Sequence, residues 1–531
     1  MAEKYEELLI EIGCEEMPAS WLPAITDNLV ASLDSRLTQA RIKCEGPITA
    51  FNTPRRFGVS IERMLDRQAD LEEMVTGPPV SASFDADGST RPAAMGFARK
   101  QGAQVEDLSR MQTAKGEYLA YNRRQRGKET TQVLPDVFAE TLRDIAFPKQ
   151  MHWDATLDDG HGEFVFGRPI RWLLFLFAGK VVPFVIGRTE GANVVGVEPV
   201  RSGNVTYGHR FFCRTGEPGL ALCVKSFADY KKTLADAYVL IDRDERRARI
   251  TRKLKKCAEK VDGNVAPLGQ GTALLDEVPD LVEYPAVVTG SFPDEFLSLP
   301  DEVLSTTMIH HQHYFPVIDR NRQLKANFLA VTNTPRDNVA RIARNSERVL
   351  IARLRDARFF WEGDRAHRLD DRLDRLETLL FHKKLGSYRQ KSERVALLAS
   401  KIAGEVLGQT DAAEHAHRAA LLSKTDLATD MVGEFPELQG IMGGIYARDQ
   451  GEPEEVWKAI YYHYLPVGIQ PDAPPIRGDL GVANVTWAAL SIADKIDTVV
   501  GLFGVGEKPT GSRDPLGIRR QAHGMLRVLT D

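Results

Sequence analysis

The sequence predicts an α+β protein, a mixed α/β region followed by an all-helical one, and three observations carry that reading. Within Ser305 to Asp364 the pattern changes from the strand-like STTMIHHQHYFPV and NFLAVTNTP to the run NVARIARNSERVLIARLRDARFFWEGD. In that run Val339, Ile342, Val349, Leu350, Leu354 and Phe360 recur at helical intervals. Strand-like stretches such as Glu7 to Cys14 and Glu163 to Gly179 precede this point, and helix-periodic stretches follow it. At 531 residues the chain is too long for one ordinary core. Residues 1–325 and 326–531 are therefore expected to form separate regions.

Taken in order, Glu7 to Cys14 reads as a strand. Pro18 to Thr38 reads as a helix, opened by Pro18, with Trp21, Ile25, Leu29 and Leu33 on one face. Phe51 to Ile61 is a strand broken by a turn at Thr53 and Pro54, which leaves Arg55 and Arg56 near a strand edge. Paired arginines there can hold a phosphate, although surface ion pairs are the commoner arrangement. Gly77 to Gly102, rich in Pro, Ser and Gly, reads as a mobile insertion with one short helix. In Glu163 to Gly179 an apolar strand surrounds RPIRW, with Arg168 and Arg171 beside Pro169, and Val205 to Phe212 repeats the design with His209 and Arg210 after a glycine. Both are candidate ligand-facing bends, because glycine or proline beside an arginine places a cation near open backbone.

Asp229 to Val261 predicts a helix, a strand (AYVLI) and the basic amphipathic helix RDERRARITRKLKKCAEKV. Leu281 to Leu304 predicts a strand, a turn and a short helix. The cluster His310, His311, Gln312 and His313 invites a metal reading, but adjacent histidines on a strand face opposite ways and no carboxylate or cysteine stands at ligand spacing. No metal is expected there, and His310 and His311 are kept as ligand-facing candidates. Beyond Asp364, helices are predicted for Leu373 to His382, Tyr388 to Leu407, Asp411 to Val432, Trp457 to Tyr464, Val482 to Phe503 and Arg513 to the end. Pro466 to Gly481 is linker-like.

A hydrophobic fraction of 43% and a charged fraction of 27% belong to a soluble globular protein. The net charge of -5 excludes a generally basic nucleic-acid glove, so any RNA contact must come from local patches. Five scattered cysteines without a CxxC pair fit a reducing cytoplasm better than a disulfide framework or a zinc site. The charged start MAEKYEELLIEIG is not a signal peptide, and no stretch is long and apolar enough for a membrane span. Gly504 to Gly511 lacks the lysine and serine end of a phosphate loop and reads as a helix-helix connection.

Two arginine-rich helices stand out. Arg341, Arg344, Arg348, Arg353, Arg355 and Arg358 lie between the apolar positions of the long run, and the interleaved Glu347 and Asp356 favour a solvated, salt-bridged face over an RNA surface. At the end of the chain Arg519 and Arg520 follow a proline-started helix, and Arg520 and Arg527, seven apart, share a face suited to successive phosphates. Pairing with Asp514 is the competing arrangement.

The ordered motifs then add up. They are TPRR at Thr53 to Arg56, GFARKQG near Gly96, FGRPIRW at Phe166 to Trp172, GHRF at Gly208 to Phe211, LVEYP at Leu281 to Pro285, HHQHYFPV at His310 to Val317, NSERVLIARLRDARFFW, KLGSYRQKSERV, SKTDLATDMVGEFPELQGIMGGIYA and SIADKIDTVVGLFGVGEKPTGSRDPLGIRRQAHGMLRV. Together they resemble the beta subunit of bacterial heterotetrameric glycyl-tRNA synthetases, from the first strand to the last residue. The resemblance implies an N-terminal region similar to a B3/B4 domain and a helical region of HD type. It implies a tRNA-binding subunit without catalytic residues of its own, working in an alpha2beta2 tetramer with an alpha subunit that forms glycyl-adenylate. The complex would use ATP and Mg, with no cofactor held by this chain. It makes Arg55, Arg56, Arg519, Arg520 and Arg527 the candidate tRNA contacts. Such subunits continue into a helical anticodon-binding domain, and with the pattern still running at Val528 to Asp531 that domain is expected to be absent here.

A rival reading takes the helical half as an HD-type metal-dependent phosphohydrolase, which needs a His, a His-Asp pair and a distant Asp to activate water. The pair here is Thr425-Asp426, with His415 and His417 upstream and Asp494 or Asp497 downstream as remnants, so a tight metal site is not expected.

Overall fold

A computed structural model describes residues 3–85, 88–188, 198–214, 216–267, 274–334, 338–467, 475–510, 514 and 516–530. They form two compact units, one made of 1–250, 276–285 and 333–335, the other of 251–275, 286–332 and 336–531.

The first unit is built on strand β1 (Tyr5–Cys14). Helix α1 (Leu22–Gln39), β2 (Thr49–Thr53) and β3 (Arg56–Leu65) follow it. β2 and β3 form the hairpin that Thr53 and Pro54 predict. β3 pairs antiparallel with β1, Ile10 opposite Val59 and Gly13 opposite Arg56. Next come β4 (Leu71–Pro79), α2 (Pro92–Gln101), β5 (Ser109–Thr113), β6 (Gly116–Gln125) and α3 (Thr130–Asp144). Strand β7 (Ile170–Phe177) pairs with the other side of β1. β8 (Val185–Arg188), β9 (Val200–Gly203) and α4 (Phe227–Asp236) complete the unit together with the start of α5 (Arg243–Glu259).

Side chains alternate across β1. Leu8, Ile10 and Ile12 join Leu22, Ile25, Leu29, Leu33, Phe138 and Leu142 of α1 and α3 in one core. Leu9 joins Leu174, Leu176, Tyr230, Leu234, Val239 and Ile241 in another. A central strand covered on both faces reads as a continuous apolar run, which is why Glu11 inside LLIEIG is conspicuous.

The sequence expectations are corrected in two places in this unit. Gly77 to Gly102 holds two short helices and not one, Val80–Ser83 and α2, after the last residues of β4, and α2 rests on the three-stranded antiparallel sheet of β4, β6 and β5. Gly77 is required there: a Cβ would lie 2.6 Å from the ring of Phe97. The expected strand AYVLI is not a strand. Val239 and Ile241 fill the core across the sheet face without joining its ladder, so β-branched composition here reports burial and not pairing.

The second unit begins with β10 (Asn264–Val265), β11 (Ala286–Ser291), α6 (Asp301–Thr306), β12 (Tyr314–Ile318) and β13 (Leu324–Thr332). These strands form an antiparallel sheet ordered β10-β12-β13-β11. Then come α7 (Val339–Arg365), α8 (Tyr388–Lys401), α9 (Thr410–Leu422), α10 (Ile441–Asp449), α11 (Glu454–Tyr462), α12 (Asn484–Gly504) and α13 (Ile518–Thr530). Val288 and Phe328 of the sheet share one core with Leu350, Leu354 and Trp361 of α7, Val395 of α8, Ala419 of α9, Ile460 of α11 and Leu490 of α12.

Three expectations change here. His310 and His311 lie in a π-helical turn, Thr307–His311, and not on a strand. Leu373 to His382 forms short 3-10 turns and a two-stranded ribbon instead of a helix, because the buried Arg372 donates to Asp364 O, Asp364 Oδ1 and Ala428 O and fixes the chain path. Asp411 to Val432 is broken after Leu422 by the 3-10 turn Thr425–Ala428. Residues 468–474 of the linker-like Pro466 to Gly481, together with Gly511, lie outside the described residues.

Candidate functional site

Two buried polar centres and several surface cations compete for a functional role. In the first unit, Glu11 and Arg56 are fully buried, carried by neighbouring strands on one face of the sheet. Gly13 leaves the room in which Trp172 lies across the strand, since a Cβ would be 1.9 Å from that ring. The Arg56 guanidinium stacks 5.3 Å from the Trp172 ring. Arg56 is held 3.2 Å from Glu11 Oε1 and 3.2 Å from Glu283 Oε1, and it donates to Thr206 Oγ1 and the Tyr207 carbonyl. Burial pushes the Glu11 carboxyl up, opposed by Arg56, while the two carboxylates outweigh burial and raise the guanidinium further.

A second buried arginine, Arg246, donates to the carbonyls of Pro279, Asn52, Leu240 and Ile241 and to Asn52 Oδ1. Burial brings it down to about 10. Both guanidiniums are enclosed by acceptors from distant segments, which is the arrangement of a fold-determining network. Arg56 therefore cannot reach an RNA backbone.

The other strand-bend candidates are also engaged. Arg55 lies 3.8 Å from Glu16, Arg171 2.6 Å from Glu15, and Arg210 pairs with Glu16. Arg168 bonds the Gly167 carbonyl and stacks 5.3 Å from the Trp21 ring. His209 is fully buried, its Nδ1 accepting from the Phe211 N–H. Burial lowers its pKa, so it rests neutral. His311 stacks on Phe435 with ring centroids 4.8 Å apart while His310 is exposed, so the two imidazoles do not converge.

In the second unit, α8, α9, α11 and α12 bring charged groups to one buried point. Lys424 Nζ lies 2.8 Å from Asp494 Oδ2 and 2.8 Å from His463 Nε2, over the ring of Tyr464 at 4.0 Å. Lys391 Nζ lies 3.0 Å from Asp494 Oδ1, 3.1 Å from Asp497 Oδ2 and 2.7 Å from Thr498 Oγ1. Burial alone would raise the Asp494 pKa, but the ammoniums of Lys391 and Lys424 hold it well below the usual carboxylate range. Burial and then the charge of Lys424 hold His463 well below its ordinary value. That fits an imidazole whose Nδ1–H is assigned to the Ile460 carbonyl, 2.6 Å away, and whose Nε2 accepts from Lys424.

Asp426 accepts from the backbone N–H groups of Gly440 and, at 3.1 Å, Gly443, and burial pushes it up to about 6. Lys495 donates to Ser491 Oγ and to the carbonyls of His463 and Leu465, and burial lowers it to about 7. The one aspartate-histidine pair of this centre is thus closed on an ammonium, which occupies the point where a divalent cation would need its ligands to meet. His415 is half-buried and His417 exposed on α9, and neither takes part. Among the described residues no group of three His, Cys, Asp or Glu is placed to hold a metal ion. Lys424 and His463 were not singled out from the sequence; the only signal was a lysine two residues before Asp426 in SKTDL.

Helix α13 packs at Gly524, between Arg520 and Arg527, while Arg520 itself is exposed. Gly524 between them is buried, and a Cβ there would meet the Pro466 carbonyl at 2.3 Å and Lys495 at 2.9 Å. Arg527 is half-buried, and Arg520 lines a cleft of about 580 Å³ with Tyr461, Tyr462, Tyr464 and Lys495. Arg519 is exposed. Asp514 caps the helix, accepting the N–H groups of Ile518 and Arg519 at 2.8 Å.

No helix among the described residues is long and apolar enough to cross a membrane. Compared with known proteins, the family model described as glycyl-tRNA synthetase beta subunit matches residues 8–531. The chain is 40% identical over 526 residues to the glycine-tRNA ligase beta subunit of Trichlorobacter lovleyi, covering 99% of this chain and 71% of that protein. It is 39% identical to the Bacillus subtilis beta subunit, covering 99% of this chain and 72% of the relative. It is 40% identical to that of Magnetococcus marinus, covering 98% and 70%. With one family matched from the central strand of the first unit to the last helix of the second, the chain belongs to the glycyl-tRNA synthetase beta subunit family.

Proposed function

We propose that the chain is the non-catalytic, tRNA-binding subunit of a glycine-tRNA ligase, assembled with an alpha subunit as an alpha2beta2 tetramer in the cytoplasm. In this reading the complex joins glycine to tRNA(Gly), converting ATP to AMP and pyrophosphate with Mg at the alpha active site. This chain positions RNA and partner and makes no bond. The observation that carries it is the match of one family across residues 8–531.

The buried chemistry supports it against the phosphohydrolase reading. A metal-activated water needs ligands that converge on a cation site open to water, whereas Asp494 and His463 converge on the Lys424 ammonium. The activity is tested by mixing the purified chain with its alpha subunit, weighing the complex by native mass spectrometry and assaying glycylation of tRNA. An alpha2beta2 mass together with glycyl-tRNA formation is the expected result. A chain that neither associates with alpha nor stimulates glycylation would overturn the reading.

A further inference from the structure

Helix α7 divides its arginines into two groups that the sequence could not separate. Leu350, Leu354, Ala357 and Trp361 are its buried stripe. On the flanks of that stripe Arg353 pairs with Glu434, Arg358 with Glu295 and Arg365 with Asp449, and Glu347 accepts from Ser291. At about 100° per residue, Arg341, Arg344, Arg348 and Arg355 fall together on the opposite side. All four are exposed, and none has an ion pair or side-chain hydrogen bond among the described residues. Phe359, 72% exposed, continues the same face. The arginines span about 21 Å at 1.5 Å per residue, and each turn rises about 5.4 Å.

Arg341, Arg344 and Arg348 stand three and four residues apart, with Arg355 seven further on, and like charges at the shorter spacing work against their own helix unless something outside it balances them. In a chain of net charge -5 this row is not part of a general positive excess. Planar guanidiniums spaced by helical turns suit phosphate oxygens, and an exposed aromatic at the end of the row suits an unstacked base. We propose that this face of α7 is a docking surface for the tRNA backbone, with Arg341, Arg344, Arg348 and Arg355 on phosphates and Phe359 against an unpaired base. The proposal rests on the tRNA-binding reading above and gives it a location other than the buried Arg56 and other than α13.

The test is filter binding of cognate and non-cognate tRNA over a salt series, using the full chain in complex with alpha. The variants are the fourfold Arg341→Gln, Arg344→Gln, Arg348→Gln, Arg355→Gln protein, the same four changed to Lys, and Phe359→Ala. Each neutralised contact should reduce the slope of log affinity against log salt by about 0.7 to 0.9. The fourfold Gln protein should therefore lose at least tenfold in affinity at low salt, equally for both tRNAs, since phosphate contacts carry no base information. The Lys variant should keep the slope, and Phe359→Ala should weaken binding without changing it.

Circular dichroism and an unchanged mass for the complex guard against misfolding. If the wild-type complex binds tRNA and the Gln variant binds with the same slope, the face is not at the RNA. Loss of alpha from the Gln variant with the tRNA slope intact would make it a protein interface and overturn the proposal. A wild-type complex that binds no tRNA would overturn the tRNA-binding reading itself.

Discussion

Arg56 shows what a single residue contributes and how little of it a local pattern reveals. The TPRR turn marks it as unusual, yet its partners Glu11 and Glu283 stand 45 and 227 residues away, so its burial could not be read from neighbours. Removing one member of a buried ionic cluster leaves the others charged and desolvated, which typically costs 3 to 5 kcal/mol, about the scale expected here. Arg56→Met should lower the urea midpoint of the first unit accordingly, and a shift below about 1 kcal/mol would show that Glu11 and Glu283 are not held by it. Lys495 makes a different prediction. Its folded pKa is lowered from 10.5 to about 7, so between those values the unfolded chain binds more protons than the folded one. Its contribution to stability therefore rises with pH across that window. The stability of the protein relative to Lys495→Met should increase by about 1.5 kcal/mol from pH 7 to 8.5. A pH-independent difference would mean that the buried amine keeps its proton.

At the scale of the element, the sequence is most readable where periodicity is long. The helix at Pro18 to Thr38 and the arginine run appear as α1 and α7 because apolar residues at helical spacing, Ile25, Leu29 and Leu33 in one and Leu350 and Leu354 in the other, form a buried stripe, although Val339 and Val349 stay exposed. It is least readable where tertiary groups override a local pattern. The leucines of Leu373 to His382 repeat at helical steps, but the Arg372 side chain and the Ser387 cap of α8 direct the chain into turns and a ribbon. The unpaired face of α7 was hidden for a similar reason: Glu347 and Asp356 look like partners in sequence, whereas the pairs that form use Glu295, Glu434 and Asp449. The α10–α11 pair offers a test of packing. Gly444 lets the two helices approach so closely that a Cβ would lie 2.5 Å from Tyr461 Cβ and 2.8 Å from the Trp457 carbonyl. With backbone on the far side, relief requires moving a helix, so Gly444→Ala should destabilise the second unit by about 1 to 3 kcal/mol in thermal unfolding. A neutral effect would show that α11 can slide.

For the whole molecule, the order of many short motifs carried more than any single one. No residue in FGRPIRW or SKTDL specifies a chemistry alone, yet the sequence of motifs pointed to a family that matches residues 8–531. The α+β class was readable for the same reason, since strand-like and helix-periodic stretches segregate along the chain. The sharing of one core by the Ala286–Ser291 and Leu324–Thr332 strands and the later helices was not, because it depends on contacts between distant segments. In SKTDL the threonine before Asp426 marks a broken metal pair and Lys424 stands beside it, but that lysines fill the centre required the fold. A subunit whose polar centres are closed ion networks should activate no amino acid by itself. Glycine-dependent ATP-pyrophosphate exchange measures this most directly: the purified chain alone should give none and the same chain mixed with alpha should give exchange, whereas robust exchange by the chain alone would contradict the account.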